Sequence, residues 1–543
     1  QESQGQRSEA MVGAKGVLAA LALSPAFVSA GALAQNGYSF TDAANSAVHY
    51  DVAPAKPAMS CVSVANLATA ETTIISVRIV PEADGVPEHC RVTGLIQPEI
   101  RFELNLPIKW NRRFYMHGNG GFAGEAPEFG SRPTIRANAL KQGFATAQTN
   151  TGHDATAEPL ASFAASYQKR VDYAFRAVHM TAVEAKRIAA AYYGRAASYS
   201  YWDGCSTGGR QGLISAQRFP HDFDGIVAGA PVLNFVDTVA QSLLNGLALV
   251  ETPVPVAKMK LVSEAVYARC DAKDGLKDGL LDDPRRCDFD PARDVAQCPA
   301  GQDGESCLTP AQTAAIKKVY GGAQVGGKPA HFGQLVGAET GGNSFTGNGT
   351  TDSGWAAWLI PPADGKALQH AYGESFVRYF LARPDPSLDA TKFDFARDIG
   401  KYADARALLN ATDPNLGPFR SRGGKLLMYF GWADTALPPL MGVDYYMKAV
   451  AANGLGTPDF FRLFMVPGMF HCRGGIGTDR LDAMTALINW VENGVAPASI
   501  TASQVDKGKL LRTRPLCPYP QVARYSGSGS PDDAASFACK APD

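Results

Sequence analysis

The chain has 543 residues, 45% of them hydrophobic and 19% charged, which suits one large domain with an insertion or two to three smaller ones. A formal net charge of −1, with no basic stripe interleaved with aromatics, argues against a nucleic-acid or anionic-membrane partner.

From the amino end, Met11 reads as a natural start preceded by Gln1–Ala10. Lys15, the apolar run Gly16–Val28 and the small-x-small triplet Ala32-Leu33-Ala34 before Gln35 have the pattern of an export signal, so residues 1–34 are expected to be a leader and signal peptide. Pro25 and the shortness of the run argue against a permanent span, the alternative being an uncleaved anchor. The expected location is therefore secreted or periplasmic. Ten cysteines follow: 61, 90, 205, 270, 287, 298, 307, 472, 517 and 539. An even count behind an export signal predicts disulfides. Local closure costs least entropy, so Cys61–Cys90, Cys270–Cys287, Cys298–Cys307 and Cys517–Cys539 are the natural pairs. A cysteine metal site is disfavoured, because no CxxC pair is present.

Thr73–Val80, Arg91–Ile96 and Ile100–Leu106 are predicted strands of an antiparallel part. Arg113–His117 is a strand entering Gly118-Asn119-Gly120-Gly121, and Phe144–Gln148 is another. Tyr167–Tyr193 has helical periodicity through Val171, Phe175, Val178 and Ala182. Strand Ser198–Asp203 runs into Gly204-Cys205-Ser206-Thr207-Gly208-Gly209 and a helix to about Phe219, followed by the apolar strand Gly225–Ala230. The rhythm is then lost until Lys425–Phe430 and Phe461–Val466. Alternating strands and helices predict an α/β protein with a mostly parallel sheet. The domain expectation is a core of residues 35–231 and 421–543, split by an inserted lid of residues 232–420.

Gly204-Cys205-Ser206-Thr207-Gly208 fits the nucleophile-elbow pattern, in the strand-to-helix context that the chemistry needs. A serine hydroxyl needs a base, and a base needs an orienting acid. His471, after the Val466-Pro467-Gly468 turn, and Asp434, after strand Leu426–Phe430, complete the chain order Ser206, Asp434, His471 of an α/β-hydrolase. Two backbone donors should face the oxyanion: the amide of Thr207, and that of Gly120 or Gly121. If this triad assembles, Cys205 and Cys472 must come close, and a bridge between them would tie the elbow to the histidine loop. Two buried thiols, or other pairings, are the alternatives.

The run Asp271–Asp283 is dense in carboxylates and glycine. Asp271, Asp274 and Asp278 with the carbonyls of Leu276 and Leu280 are candidate ligands of a structural Ca²⁺, stapled by Cys270 and Cys287; a solvated acidic turn is the competing reading. No organic cofactor is expected.

With these residues in place, the chain resembles the tannase and feruloyl esterase family over nearly its whole length after the leader. The resemblance is carried by Gly204–Gly212, Phe223-Asp224-Gly225-Ile226 to Ala230-Pro231, Gly431–Asp434 and His471-Cys472-Arg473-Gly474-Gly475. It implies an α/β-hydrolase core with a large inserted lid domain, a Cys205–Cys472 disulfide, calcium in the 271–280 loop, and hydrolysis of aromatic-acid esters. The expected partner is a small aromatic ester. Feruloyl esters come first, with gallate esters and the mono(2-hydroxyethyl) terephthalate ester as alternatives; a serine peptidase and a non-catalytic calcium-binding module are more remote. From the insert, Trp358, Phe376 and Arg378 are the candidate substrate contacts, with Trp355, Tyr372 and Tyr379 beside them; lid core or surface ion pairing would account for them equally.

Overall fold

Runs rich in β-branched and aromatic residues become strands where they can pair on a half-buried surface. In the computed structural model, which describes residues 38–50, 52–342, 353–363 and 365–542, they form one nine-stranded sheet. Its strands are β1 (Thr72–Val80), β2 (His89–Ile96), β3 (Ile100–Pro107), β4 (Arg113–His117), β5 (Ala145–Thr149), β6 (Tyr199–Cys205), β7 (Gly225–Gly229), β8 (Lys425–Gly431) and β9 (Phe461–Val466). The spatial order is β1-β2-β3-β5-β4-β6-β7-β8-β9. The first three strands are antiparallel and join β5 antiparallel, while β5, β4, β6, β7, β8 and β9 are mutually parallel. The expected leader and cleavage site lie outside the described residues.

The parallel strands β4, β5 and β7 are buried along their whole length, as strands covered on both faces must be. Edge strand β1 is largely exposed instead, with only Thr72 buried and Ile75 and Ile79 open to solvent. The covering helices include α1 (Arg132–Lys141), α2 (Ala177–Tyr193), α3 (Thr207–Arg218), α4 (Phe235–Glu251), α5 (Leu368–Tyr379) and α6 (Ala483–Asn493). The helix expected over Tyr167–Tyr193 is interrupted. A short helix, Tyr167–Val171, widens into a π-helical turn at Asp172–Arg176 before α2 begins. The wider turn leaves the carbonyls of Tyr173 and Ala174 open to Arg210 of α3, which donates to both.

The segment between β7 and β8 carries a core of its own, built on residues such as Val262, Val266, Ile316, Trp355 and Leu359. Its helices α4 and α5, however, join the main core through Val236, Leu243, Phe376 and Val377. The insert is thus fused to the sheet layer at both of its ends.

One buried ion pair locks the sheet to α6. Arg113 of β4 donates through Nε and Nη2 to both carboxylate oxygens of Glu492, at 2.7 and 2.6 Å, and the Tyr201 hydroxyl donates to the same carboxylate. Glu492→Ala would strand a guanidinium that is 4% exposed, and is expected to lower the unfolding free energy by about 3 kcal/mol, read by denaturant titration.

Candidate active site

The sheet edge at the carboxyl ends of β6, β8 and β9 gathers the expected residues. Ser206 follows β6 and precedes α3, with φ 61° and ψ −122°, a strained conformation for a side-chain-bearing residue. Its amide is held by the carbonyl of Gly229 at 2.9 Å. The flanking glycines have a packing reason. A Cβ on Gly209 would lie 2.3 Å from the Gly229 carbonyl oxygen, and one on Gly204 would lie 2.6 Å from the Gly208 backbone. The sharp turn lets strand and helix pack this closely while presenting the serine hydroxyl.

His471, in the loop after β9, brings Nε2 to 2.9 Å from Ser206 Oγ and Nδ1 to 2.7 Å from Asp434 Oδ2. Asp434 is itself fixed, because its Oδ1 accepts the amides of Ala436 and Leu437 at 2.8 and 2.9 Å. All three side chains are buried. Cys205 and Cys472 are joined in a disulfide across 267 positions of sequence. The other four disulfides are Cys61–Cys90, Cys270–Cys287, Cys298–Cys307 and Cys517–Cys539, and no free cysteine remains among the described residues.

The glycine loop after β4 closes over the serine, and the structure separates its two candidate donors. The Gly120 amide donates to Glu125 Oε1 at 2.8 Å, so it is spent internally and the expectation for Gly120 is corrected. Gly121, by contrast, lines the serine pocket and its amide has no partner among the described residues. Its carbonyl is pinned by the Thr207 hydroxyl at 2.6 Å and the Tyr173 hydroxyl at 2.9 Å. Thr207 opens α3, where the amide has no partner within the helix.

Three supporting residues carried no sequence signal of this role. Buried Glu125 also takes the Asn119 side-chain amide at 2.8 Å and Arg132 at 3.0 Å. Tyr173 comes from the π-helical turn. Arg210, fully buried without a carboxylate partner among the described residues, lies over the rings of Tyr173 and Phe235 and donates to Leu409 of the insert. Arg210 stands in the glycine-rich motif that follows β6, but only the fold reveals what it grips.

The pocket at Ser206 is walled by Phe122, Val232, Phe235, Trp358, Tyr372 and Leu437, with Gln369 as a polar member. Trp358 stands edge-on to His471, ring centroids 5.5 Å apart. Phe376 and Arg378 do not reach this space. Gln369 and Tyr372, three apart on α5, take the pocket-facing side; Phe376 lies one turn deeper, stacked on Phe380 and Tyr402. Arg378 is turned away, paired with Glu374 at 3.0 Å and donating to the Leu388 carbonyl. Trp355 is core of the insert.

In the acidic loop, Asp271 accepts the Gly279 amide, Asp274 the Leu276 amide and Asp278 the Leu280 amide. Asp278 also faces Arg514 at 2.5 Å. Burial raises the carboxyls of Asp271 and Asp274 above the usual range, and burial together with Asp274 pushes Asp282 up to about 7. The loop thus gathers carboxylate and carbonyl oxygens, with Asp278 partly neutralised by Arg514 and Arg512. No group of three or more His, Cys, Asp or Glu side chains among the described residues is already arranged to hold one.

A strained serine at a strand-to-helix turn, hydrogen-bonded through histidine to aspartate at the edge of a parallel sheet, defines an α/β-hydrolase esterase fold. The family model for tannase and feruloyl esterase matches residues 85–540, and the chain belongs to that family. It is 37% identical over 525 residues to a mono(2-hydroxyethyl) terephthalate hydrolase of Piscinibacter sakaiensis, covering 85% of this chain and 86% of that one. It is 31% identical over 460 residues to a probable feruloyl esterase of Arthroderma benhamiae, covering 80% and 81%. Feruloyl esterase B from Aspergillus oryzae superposes with a TM-score of 0.75 at 28% identity, over 88% of this chain and 99% of that one. The chain is a carboxylic ester hydrolase.

The bridge beside the serine gives a direct test. Replacing Cys205 and Cys472 together by alanine is expected to lower the unfolding free energy by about 2–5 kcal/mol, and to reduce kcat more than it raises KM. Thermal unfolding and steady-state kinetics of the double variant read both effects.

Proposed function

We propose that this is a secreted serine esterase that hydrolyses esters of neutral aromatic acids, feruloyl-type esters foremost, through Ser206, His471 and Asp434. The observation that carries the reading is the Ser206 Oγ–His471 Nε2–Asp434 chain at 2.9 and 2.7 Å inside a pocket lined by aromatic rings. His471 takes the serine proton as Oγ attacks the ester carbonyl. The tetrahedral oxyanion is received by the amides of Thr207 and Gly121. Collapse expels the alcohol, which leaves with the proton from His471; water, activated by the same histidine, then releases the acid. Asp434 holds the imidazole tautomer that makes Nε2 the acceptor. The inserted segment serves as a lid whose Trp358 and Tyr372 cover the acyl ring.

The terephthalate monoester is the second reading, favoured by the 37% identical relative. Against it, the described lining of the pocket contains no lysine or arginine to meet the free carboxylate. Gallate esters remain the runner-up among neutral acids. Ser206→Ala should lower kcat for methyl ferulate by at least about 10³-fold. In the unaltered protein, methyl ferulate and methyl gallate should each outpace the terephthalate monoester. A faster terephthalate monoester would overturn the neutral-acid assignment.

We also propose that the loop of Asp271, Asp274, Leu276, Asp278 and Leu280 takes a structural calcium ion. Carboxylates raised by burial and the Cys270–Cys287 staple support it. Chelation should lower Tm by several degrees, with recovery on adding Ca²⁺; unchanged Tm together with no bound metal by elemental analysis would overturn it.

A further inference from the structure

We infer that a second cavity behind Phe122 and Tyr372 is a subsite of the same active centre, receiving a neutral hydroxylated ring of the ester, with Tyr372 as its partition from Ser206. This rests on Ser206 being the ester-cleaving nucleophile.

The free space at Ser206 is about 60 Å³, whereas the neighbouring cavity is about 740 Å³. Ligand sites commonly run to roughly 300–1,000 Å³, so room for a second ring is found in the neighbouring space and not at Ser206. The two share Phe122 and Tyr372 as walls, and they lie against consecutive glycines of the loop over the serine, Gly121 on one side and Gly120 on the other.

The partition is lightly held. The Tyr372 ring stacks on Phe122 at 5.1 Å and lies 6.2 Å from Trp358. Its hydroxyl makes no hydrogen bond to any described residue. That hydroxyl fills the place a side chain at Gly121 would take, since a Cβ there would lie 2.3 Å from it. Rotation of this one side chain joins the two spaces while the backbone of α5 stays packed, Gly373 lying against Leu243.

The chemistry of the walls names the occupant. Phe102, Phe129 and Leu160 make the cavity apolar, matched to a ring. The buried carboxylates of its lining are already paired, Glu125 with Arg132 at 3.0 Å and Glu103 with Arg136 at 2.9 Å, and the exposed Glu99 is paired with Lys169 at 3.0 Å. The remaining ionised groups of the lining, Arg101 and Asp154, are exposed, so the buried part of the cavity offers a charged ligand no free counter-charge. At the exposed mouth, Arg101 and Thr156 offer groups for hydroxyls. The ring can belong to the acid or to the alcohol, and the substrates of the test separate the two.

Ala155 and Thr93 line this cavity and not the pocket at Ser206. Ala155→Trp, with Thr93→Trp as an independent second filler, is assayed on three esters: the methyl ester of a one-ring phenolic acid, the same acid esterified to a hydroxyphenyl alcohol, and the methyl ester of a two-ring phenolic acid. The expected result is a methyl ester of the one-ring acid cleaved within about twofold of the parent rate, and a fall of about tenfold or more in kcat/KM, carried by KM, for one of the two-ring esters. Which one falls tells the side of the ester. Tyr372→Ala should shift preference toward the two-ring ester. Two-ring esters unaffected by both fillers, or a one-ring ester falling in parallel, would overturn the subsite. Calorimetric binding of the two-ring esters to Ser206→Ala, with and without Ala155→Trp, tests the cavity without turnover: an unchanged Kd overturns the subsite. Loss of methyl-ester cleavage by the parent protein, with the binding difference intact, counts against the hydrolase reading alone.

Discussion

Everything at the site depends on the shared polarity of β6, β7, β8 and β9. Parallel strands end at one edge, so the loops after β6, β8 and β9 open into the same space although Ser206 and His471 are 265 positions apart. Burial of these strands on both faces sets their register, since a slip would move core side chains out of the packed layers. The hydrogen-bonded chain from Ser206 to Asp434 follows from that register. The Cys205–Cys472 bridge then makes the closest approach covalent, joining the residue before the nucleophile to the residue after the base.

The loop over the serine is held from behind by a separate polar network. Glu125 gathers the Gly120 amide, the Asn119 side chain and Arg132; Thr207 and Tyr173 pin the Gly121 carbonyl. Such fixed donors matter because a preorganised amide stabilises developing charge without reorganising during the reaction. Arg210 extends the network outward. Its guanidinium bridges the π-helical turn, α3 and the insert, so Tyr173, which pins the glycine loop, and the insert share one buried cation.

The insert supplies much of the pocket: Val232 and four residues of α4, with Trp358, Gln369 and Tyr372 further along the chain. Phe376 and Arg378 are chemically suited to an aromatic acid, yet helical geometry sends one into the core and the other to an ion pair. Four or six positions beyond Tyr372 along one helix separate contact from burial or ion pairing, and composition is blind to that difference.

Local pattern was enough for the strands, the elbow and the triad. A glycine-flanked serine between strand and helix, with an aspartate and a histidine in loops after later strands, has few other uses, and the resemblance carried by Gly204–Gly212 and His471–Gly475 narrows it further. Four of the disulfides were legible because short loops close cheaply; the fifth needed the assembled triad. Chain order placed Gly120 and Gly121 near the oxyanion but could not choose between them, since the choice turns on a carboxylate five residues away folding back onto one amide. The roles of Glu125, Tyr173 and Arg210 likewise exist only through contacts with residues remote in sequence. The sequence by itself determined which groups are present and in what chain order, because local turns and periodicity are written in neighbouring residues. The tertiary structure alone decided which of them meet, because packing around a common core sets distances that no spacing along the chain records.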